Sequence, residues 1–262
     1  MNNTILHEKE VLLQTDRRKA GVELIKTISD LWYDKSIDIV LFRNKLIDRN
    51  VSEILNLHDY AGEFVDKPIS VFDSLEIANA ILTMDLPPSK LDIGKLTYEF
   101  QLENNSSRNA IEFVIDKLKN AQNTEEIQPK DVVLYGFGRI GRLLARELMS
   151  KTGKGDQLRL RAIVTREKNN AVSLEKRASL LRYDSIHGDF MGSVVADIEN
   201  NALIINGTTV HIITANSPEE IDYTKYDIQN ALIIDNTGAF TSQEALSRHL
   251  TSIGSHKVLL TA

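Results

Sequence analysis

Three glycines stand near the middle of the chain at the spacing Gly136-x-Gly138-x-x-Gly141. They follow the apolar run DVVLY and precede RLLARELM, whose leucines fall on one face of a helix. Between a strand and a helix, the first glycine allows a tight turn, the second lets the backbone approach a pyrophosphate, and the third lets the helix pack closely. The first N–H groups of the helix have no partner within it and are free to bind an anion. The spacing therefore predicts a dinucleotide-binding loop.

The residues around this loop alternate between strand-like and helix-like patterns. LRLRAIV, ALIID and KVLLT are typical of buried strands, and SVVADIE and ALIINGTTVHIIT are typical of paired strands with turns at Asn200-Asn201 and Asn206-Gly207. Alternating strands and helices favour a parallel sheet. We therefore predict an α/β fold with a mostly parallel, Rossmann-type dinucleotide-binding sheet.

The first half of the chain has helical periodicity instead. Apolar residues recur at helical spacing in two segments, as Leu24, Ile25, Ile28, Leu31 and Trp32, and as Ile111, Val114, Ile115 and Leu118. Asp73–Ser74, Ser89 and Ser106–Ser107 are predicted helix starts. The polar segment Asn120–Asp131 has no apolar periodicity. We predict an all-helical N-terminal domain over residues 1–125 and an NAD(P)-binding domain over residues 126–262.

Composition and charge narrow the class of protein. Residues 1–130 carry 16 basic and 22 acidic side chains, whereas residues 131–262 carry 15 of each, which argues against a nucleic-acid surface. We find no apolar run long enough for a membrane span and no export signal, so we expect a cytoplasmic protein with neither nucleic acid nor membrane as partner. The sequence has no cysteine, and His7 and His58 each lack a second ligand at metal spacing, so we expect no metal site.

Five segments together resemble one enzyme family. YGFGRIGRL, LLRYDSIHGDF, LIINGTTVHI, IDNTGAFTSQEALSRHL and HKVLLTA are similar, in order and spacing, to the first half of a phosphorylating glyceraldehyde-3-phosphate dehydrogenase. The resemblance covers residues 131–262, and the helical first half looks like an added N-terminal domain. It implies an NAD(P)-dependent oxidoreductase of glycolysis or gluconeogenesis that acts on a small phosphorylated aldehyde and forms a homo-oligomer.

The resemblance also implies roles for individual residues. Arg139 and Ile140 are expected along the phosphates and adenosine of the cofactor, and Thr237-Gly238 and Thr261 along its nicotinamide side. An arginine after the second glycine is also placed to reach a pyrophosphate oxygen. The predicted cofactor-binding residues are Gly136, Phe137, Gly138, Arg139, Ile140, Gly141, Thr165, Arg166, Thr237, Gly238 and Thr261.

Cofactor selection depends on the end of the second strand. NAD-specific sites of this kind usually carry an acidic residue there, and the resemblance expects aspartate where this chain has Thr165, followed by Arg166. Loss of the carboxylate and an adjacent guanidinium both favour a 2′-phosphate, so of NAD and NADP we favour NADP-capable binding. The alternative is that Thr165 merely ends the strand, Arg166 is solvated and Glu167 contacts the ribose.

The chain lacks the catalytic residues that the resemblance implies. The family's reaction needs a cysteine thiolate and a histidine base, and there is no cysteine in the 262 residues. We expect a cofactor-binding fragment, truncated before the catalytic domain and inactive alone. The cluster Asp184, Ser185 and His187 is interpreted as a structural loop of the family, since its residues are too close in sequence to form a triad and no G-x-S-x-G nucleophile elbow is present. The alternatives are an erythrose-4-phosphate dehydrogenase, a non-catalytic dinucleotide-sensing module, and a protein-interaction role for the acidic helical half.

Overall fold

The structure divides into two compact units, Met1–Ile127 and Gln128–Ala262. It is a computed structural model that describes residues 2–65, 67–103, 109–121, 128–155 and 157–261, with side chains from residue 6 onward. In the part of the chain described, we find no helix with the length and apolar character needed to cross a membrane.

The first unit is mainly helical, as predicted, and also contains a small sheet that the sequence pattern did not predict. Its helices are α1 (Asn2–Lys35), α2 (Val51–Ala61), α3 (Val71–Leu82), α4 (Ile93–Glu103) and α5 (Ala110–Leu118). Its strands are β1 (Ile37–Leu41), β2 (Asn44–Lys45) and β3 (Ser89–Asp92), in the order β2-β1-β3. β1 pairs antiparallel with β2 and parallel with β3.

Two predicted helix starts are wrong, because the caps lie elsewhere. Helix α3 begins at Val71 after the N-cap Ser70, and Asp73 is the third helical residue, whose carboxylate closes the capping box. Ser89 lies in β3, not at a helix start. Ser106 and Ser107 lie outside the described residues, and the N-cap of α5 is Asn109.

The two predicted apolar faces differ in outcome. In α1, Leu24, Ile28 and Leu31 are fully buried, which confirms that face. In α5, Ile111 and Ile115 are 47% and 45% exposed, so this half of the predicted face is wrong. The physical reason is that the larger ring of Phe113 takes the core position and contacts Phe100, with ring centroids 5.1 Å apart.

The second unit is built around one seven-stranded sheet. Its helices are α6 (Arg139–Ser150), α7 (Ala171–Arg182) and α8 (Gln243–Ser247). The sheet strands are β4 (Lys130–Tyr135), β5 (Leu158–Thr165), β8 (Val194–Asp197), β9 (Ala202–Ile205), β10 (Thr208–Thr214), β11 (Ala231–Asp235) and β12 (Ser255–Leu260), and a separate hairpin is formed by β6 (Tyr183–Asp184) and β7 (Gly188–Asp189).

The strand order determines where a ligand can bind. The order is β12-β11-β4-β5-β10-β9-β8; the first five strands are parallel, and β9 and β8 extend the sheet antiparallel. From β4 the chain proceeds to β5 and β10 on one side and returns to β11 on the other. Ligands of open α/β sheets bind at such a reversal, beyond the carboxyl ends of the strands. The predicted Rossmann-type fold is confirmed.

The predicted hairpin turns are also confirmed. Asn206 and Gly207 join β9 to β10 with φ of 49° and 79°, the backbone that an Asn-Gly hairpin turn requires. Asn201, with φ of 51°, ends the connection from β8 to β9.

The first unit should lose stability as the pH falls, because it buries a neutral histidine. His58 is 2% exposed; its Nδ1 lies 2.7 Å from the carbonyl oxygen of Ile54, and its Nε2 lies 2.9 Å from the hydroxyl of Ser74. Burial lowers the pKa of His58. Since the folded pKa lies below the unfolded value of about 6.5, the unfolded chain takes up a proton before the folded chain does. His58 is neutral in both states above about pH 7, and the free energy of unfolding falls as the pH drops from the unfolded pKa through the folded pKa.

Trp32, the single tryptophan of the sequence and 9% exposed, reports on this unit alone. Urea unfolding followed by its fluorescence should show a lower midpoint at about pH 5 than at about pH 8, and His58→Gln, which removes the titrating ring, should flatten the difference. An equally steep pH dependence in His58→Gln would show that another group is responsible.

Candidate dinucleotide site

A cleft of about 460 Å³ opens at the carboxyl ends of the central parallel strands. Residues of four strand ends and one helix line it: Tyr135, Gly136, Phe137 and Gly138 at the end of β4, Val164, Thr165, Arg166 and Glu167 at the end of β5, Ala215 after β10, Asn236, Thr237 and Ala239 after β11, and Lys176, Arg177 and Leu180 of α7. The cleft therefore lies where the topology predicts a ligand.

Two of the three glycines are required by the protein itself. Gly136 has φ of +106°, and its N–H donates to the carbonyl oxygen of Val164 at 2.9 Å. A Cβ on Gly136 would lie 2.8 Å from Cγ2 of Thr237. A Cβ on Gly141 would overlap the carbonyl oxygen of Gly136 and the side chain of Asn236. These glycines allow the loop, α6 and the end of β11 to approach one another closely.

Gly138 differs from both. Its φ of −70° is open to any residue, and apart from its own chain neighbours no described residue comes within 4 Å of a Cβ built on it. Gly138 is also the N-cap of α6, and no described side chain caps that helix. Neither backbone strain nor protein packing explains why residue 138 is a glycine. A pyrophosphate bound at the N-terminus of α6 does, because it needs the space that a side chain would fill. The site therefore fits a dinucleotide.

The structure brings together six of the eleven predicted residues. Gly136, Phe137, Gly138, Thr165, Arg166 and Thr237 line the cleft. Arg139 and Ile140 lie exposed in the first turn of α6 and do not line it. Gly238 lies between two lining residues, and Thr261 follows β12, where its N–H and hydroxyl donate to the carbonyl oxygen of Asp235 at 3.0 and 3.2 Å.

The end of β5 is held by a buried arginine that sequence reasoning missed. Arg177 is 5% exposed and donates to the Thr165 hydroxyl at 3.1 Å and to both the carbonyl oxygen and the carboxylate of Glu167 at 3.2 Å. The Thr165 hydroxyl in turn donates to the carbonyl oxygen of Glu167 at 3.3 Å. Thr165 and Glu167 are thus fixed by one guanidinium from α7.

The charge that remains in the cleft is positive. The Glu167 carboxylate is paired with Arg177, while Arg166 and Lys176 form no ion pair with any described residue. Two exposed cations thus line the cleft beside the end of β5. Lys176, Arg177 and Leu180 were missed because they lie on a helix, and the face that a helix turns toward a cleft depends on packing that has no local signal. Only the basic pair of Lys176 and Arg177, soon after β5, could have suggested them.

A buried acid–histidine pair lies beneath the other side of the cleft. Asp235 and His249 are both fully buried, with Nε2 of His249 2.8 Å from Oδ2 of Asp235. The other carboxylate oxygen accepts from the N–H and the hydroxyl of Thr237 at 2.9 and 2.8 Å. Burial raises the pKa of Asp235, but the hydrogen bonds from His249 and Thr237 outweigh it and leave that pKa below its ordinary value.

The cluster Asp184, Ser185 and His187, predicted as a structural loop, lies in a turn. One oxygen of Asp184 accepts from the N–H groups of Ile186 and His187 and lies 3.0 Å from Nδ1 of His187. These hydrogen bonds, chiefly those from His187, hold the pKa of Asp184 well below its ordinary range. The carboxylate closes the hairpin of β6 and β7.

Comparison with known proteins agrees with this geometry. Residues 130–243 match the family described as glyceraldehyde 3-phosphate dehydrogenase, NAD binding domain. The chain is 43% identical over 244 residues, 91% of its length, to a glyceraldehyde-3-phosphate dehydrogenase-like protein of Pseudomonas aeruginosa (strain UCBPP-PA14), of which it covers 52%. It is 35% identical over 131 residues, 50% of its length, to glyceraldehyde-3-phosphate dehydrogenase 2 of Bacillus subtilis (strain 168), of which it covers 34%.

Residues 130–243 have a Rossmann-type fold and match an NAD-binding domain, and the predicted resemblance to the N-terminal half of a glyceraldehyde-3-phosphate dehydrogenase is confirmed. The chain spans about half the length of the Pseudomonas relative and about a third of the Bacillus one. Because the Pseudomonas match is longer than the second unit, it also includes much of the helical first unit.

The contrast between the glycines predicts different effects on stability. Gly141→Ser should destabilise the second unit by about 1–3 kcal/mol, because the new side chain overlaps Gly136 and Asn236. Gly138→Ser should leave its stability unchanged or slightly higher, because serine is a favoured N-cap and meets open space. Urea unfolding followed by circular dichroism measures both. Equal losses in the two variants would contradict the distinction.

Proposed function

We propose that residues 126–262 bind NAD or NADP in the cleft as the cofactor-binding domain of a phosphorylating glyceraldehyde-3-phosphate dehydrogenase. The observation that carries the proposal is Gly138, an N-cap glycine that neither its backbone angles nor its neighbours require. In this proposal, the pyrophosphate lies against Gly138 and the N-terminus of α6, with Arg139 and Ile140 beside it. Thr165 and Arg166 lie at the adenine ribose, and Thr237, Gly238 and Thr261 lie toward the nicotinamide.

The proposed reaction divides between this domain and residues outside it. Bound NAD(P) supplies the carbon that accepts a hydride from the substrate. The residues of the cleft bind and orient the dinucleotide, and Gly136 and Gly141 keep the glycine loop of the protein close to the sheet. A phosphorylating aldehyde dehydrogenase also needs a thiolate, and the sequence contains no cysteine. We propose that these 262 residues bind the cofactor and have no aldehyde-oxidising activity alone.

The division of the chain into domains 1–125 and 126–262 is part of the same proposal. It is supported by the partition into compact units at Ile127 and Gln128. A phosphorylated aldehyde as substrate, a homo-oligomeric assembly and a cytoplasmic location stay predictions. An erythrose-4-phosphate dehydrogenase and a dinucleotide-sensing module remain as alternative functions.

Dinucleotide titration of Gly138→Ser tests the proposal directly. The parent chain should bind NAD(H) or NADP(H), and Gly138→Ser should weaken that binding at least about tenfold, because its side chain occupies the path of the pyrophosphate. Fluorescence of the reduced cofactors or calorimetry measures the affinities. Gly62→Ser, at a helix end of the first unit, is the matched control and should bind as the parent does. No binding by the parent, or unchanged binding by Gly138→Ser, would contradict the proposal.

We further propose that the site accepts NADP. The carboxylate of Glu167, which in an NAD-selective role would repel a 2′-phosphate, is paired with the buried Arg177. The hydroxyl of Thr165 is engaged by the same guanidinium. Arg166 and Lys176 line the cleft without a carboxylate partner among the described residues, and a phosphate would supply one.

The double variant Thr165→Asp, Arg166→Ala tests this selection. The parent should bind NADP at least as tightly as NAD, and the double variant should shift the affinity ratio toward NAD by about tenfold or more, since a guanidinium is removed and a carboxylate added. Lys168→Ala, which removes a neighbouring exposed cation outside the cleft lining, should leave the ratio unchanged. A parent that strongly prefers NAD, or a double variant with the parent's ratio, would refute NADP selection by these residues.

A further inference from the structure

The buried residues Asp235 and His249 are not among the predicted cofactor-binding residues. Asp235, however, is hydrogen-bonded to Thr237, which is one of them. Asp235 is the last residue of β11, and the loop that follows contributes Asn236, Thr237 and Ala239 to the cleft. His249 arrives from a short helical turn 14 positions later in the chain. The pair therefore joins two separate segments beneath one wall of the cleft.

Its hydrogen bonds determine the shape of this loop. Asp235 accepts two hydrogen bonds from Thr237, and the Thr237 hydroxyl accepts from the N–H of Ala239 at 3.1 Å. The methyl group of Thr237 in turn lies against Gly136, so that a Cβ built on Gly136 would be 2.8 Å from it. A continuous series of contacts thus leads from His249 through Asp235 and Thr237 to the first glycine of the phosphate loop.

The surroundings of His249 hold its ring in one orientation. The ring meets Tyr135 edge-on with centroids 4.6 Å apart and Phe240 with centroids 4.9 Å apart. Asp235 is the partner of Nε2 of His249, and it is paired with Tyr135 on the adjacent parallel strand β4. A carboxylate can only accept, so His249 donates through Nε2.

We propose that Asp235 and His249 are positioning residues for the dinucleotide site: the hydrogen bond from Nε2 of His249 fixes the Asp235 carboxylate, which fixes the loop of residues 236–239 for cofactor binding. This inference rests on the proposed function for its effect on affinity. Its structural half, that the pair fixes the loop, does not depend on a ligand.

His249→Phe tests the proposal with the packing retained. Phenylalanine fits between Tyr135 and Phe240 but cannot donate to Asp235. We expect amide hydrogen exchange at Thr237 and Ala239 to speed up about tenfold, while the amide of Ala215, across the cleft and bonded to Thr165, keeps its rate. We expect dinucleotide affinity to fall about tenfold under the same conditions.

Two further variants separate positioning from general stability. His249→Gln restores an amide donor near the place of Nε2 and should return both affinity and exchange to within about threefold of the parent. His211→Phe, the same substitution at a half-buried histidine of β10 whose ring lies tilted against that of Tyr226, should alter neither, because His211 does not line the cleft. If His249→Phe does not fold, Asp235→Asn replaces it, with faster exchange at Thr237 and weaker binding as the expected result.

The outcomes are distinguishable. Unchanged exchange at Thr237 and Ala239, exchange raised equally at Ala215, or a loss of affinity as large in His211→Phe as in His249→Phe would overturn the positioning role. Failure of the parent chain to bind either dinucleotide would overturn the proposed function, and the positioning role would then be decided by the exchange rates alone.

Discussion

One buried carboxylate, Asp235, holds together the wall of the cleft on which a dinucleotide site depends. Its side chain accepts from His249 and twice from Thr237, and its carbonyl oxygen accepts twice from Thr261. A charge taken fully out of water must be satisfied by hydrogen bonds, or its burial costs several kcal/mol. The partners of Asp235 therefore have little freedom to move. The interior of the sheet thus determines the conformation of a loop at its edge.

On the opposite wall of the cleft, at the end of β5, the buried and hydrogen-bonded charge is a cation instead of a carboxylate. Arg177 is buried, and its donors are satisfied at Thr165, Glu167 and Asn169, which fixes the chain as it leaves β5. Arg166 and Lys176 are exposed and unpaired among the described residues. Buried charges that are already hydrogen-bonded hold the walls, and exposed charges are available to a ligand. This division explains how a cleft can be rigid and still attract a phosphate.

Sequence patterns predicted the parts of the fold that are determined by neighbouring residues. The strand, glycine turn and helix at 130–150 and the Asn206-Gly207 hairpin depend on local backbone geometry and are visible as such. β1 and β3 were missed because they are short and their parallel pairing joins residues about 50 positions apart. The roles of Arg177 and His249 were missed for a related reason: each meets its site through tertiary packing, which a single sequence does not show.

The glycine loop shows how a motif can be divided into a structural and a functional part. Gly136 is required by its positive φ, and Gly141 is required by the carbonyl oxygen beside it. Both would be kept in a loop that bound nothing, since they serve the packing of a strand, a turn and a helix. Gly138 has ordinary angles and open space, so packing alone would accept a side chain there and would favour serine at an N-cap. Of the three glycines, Gly138 is therefore the one that indicates a ligand, because neither the backbone nor the packing of the protein requires glycine there.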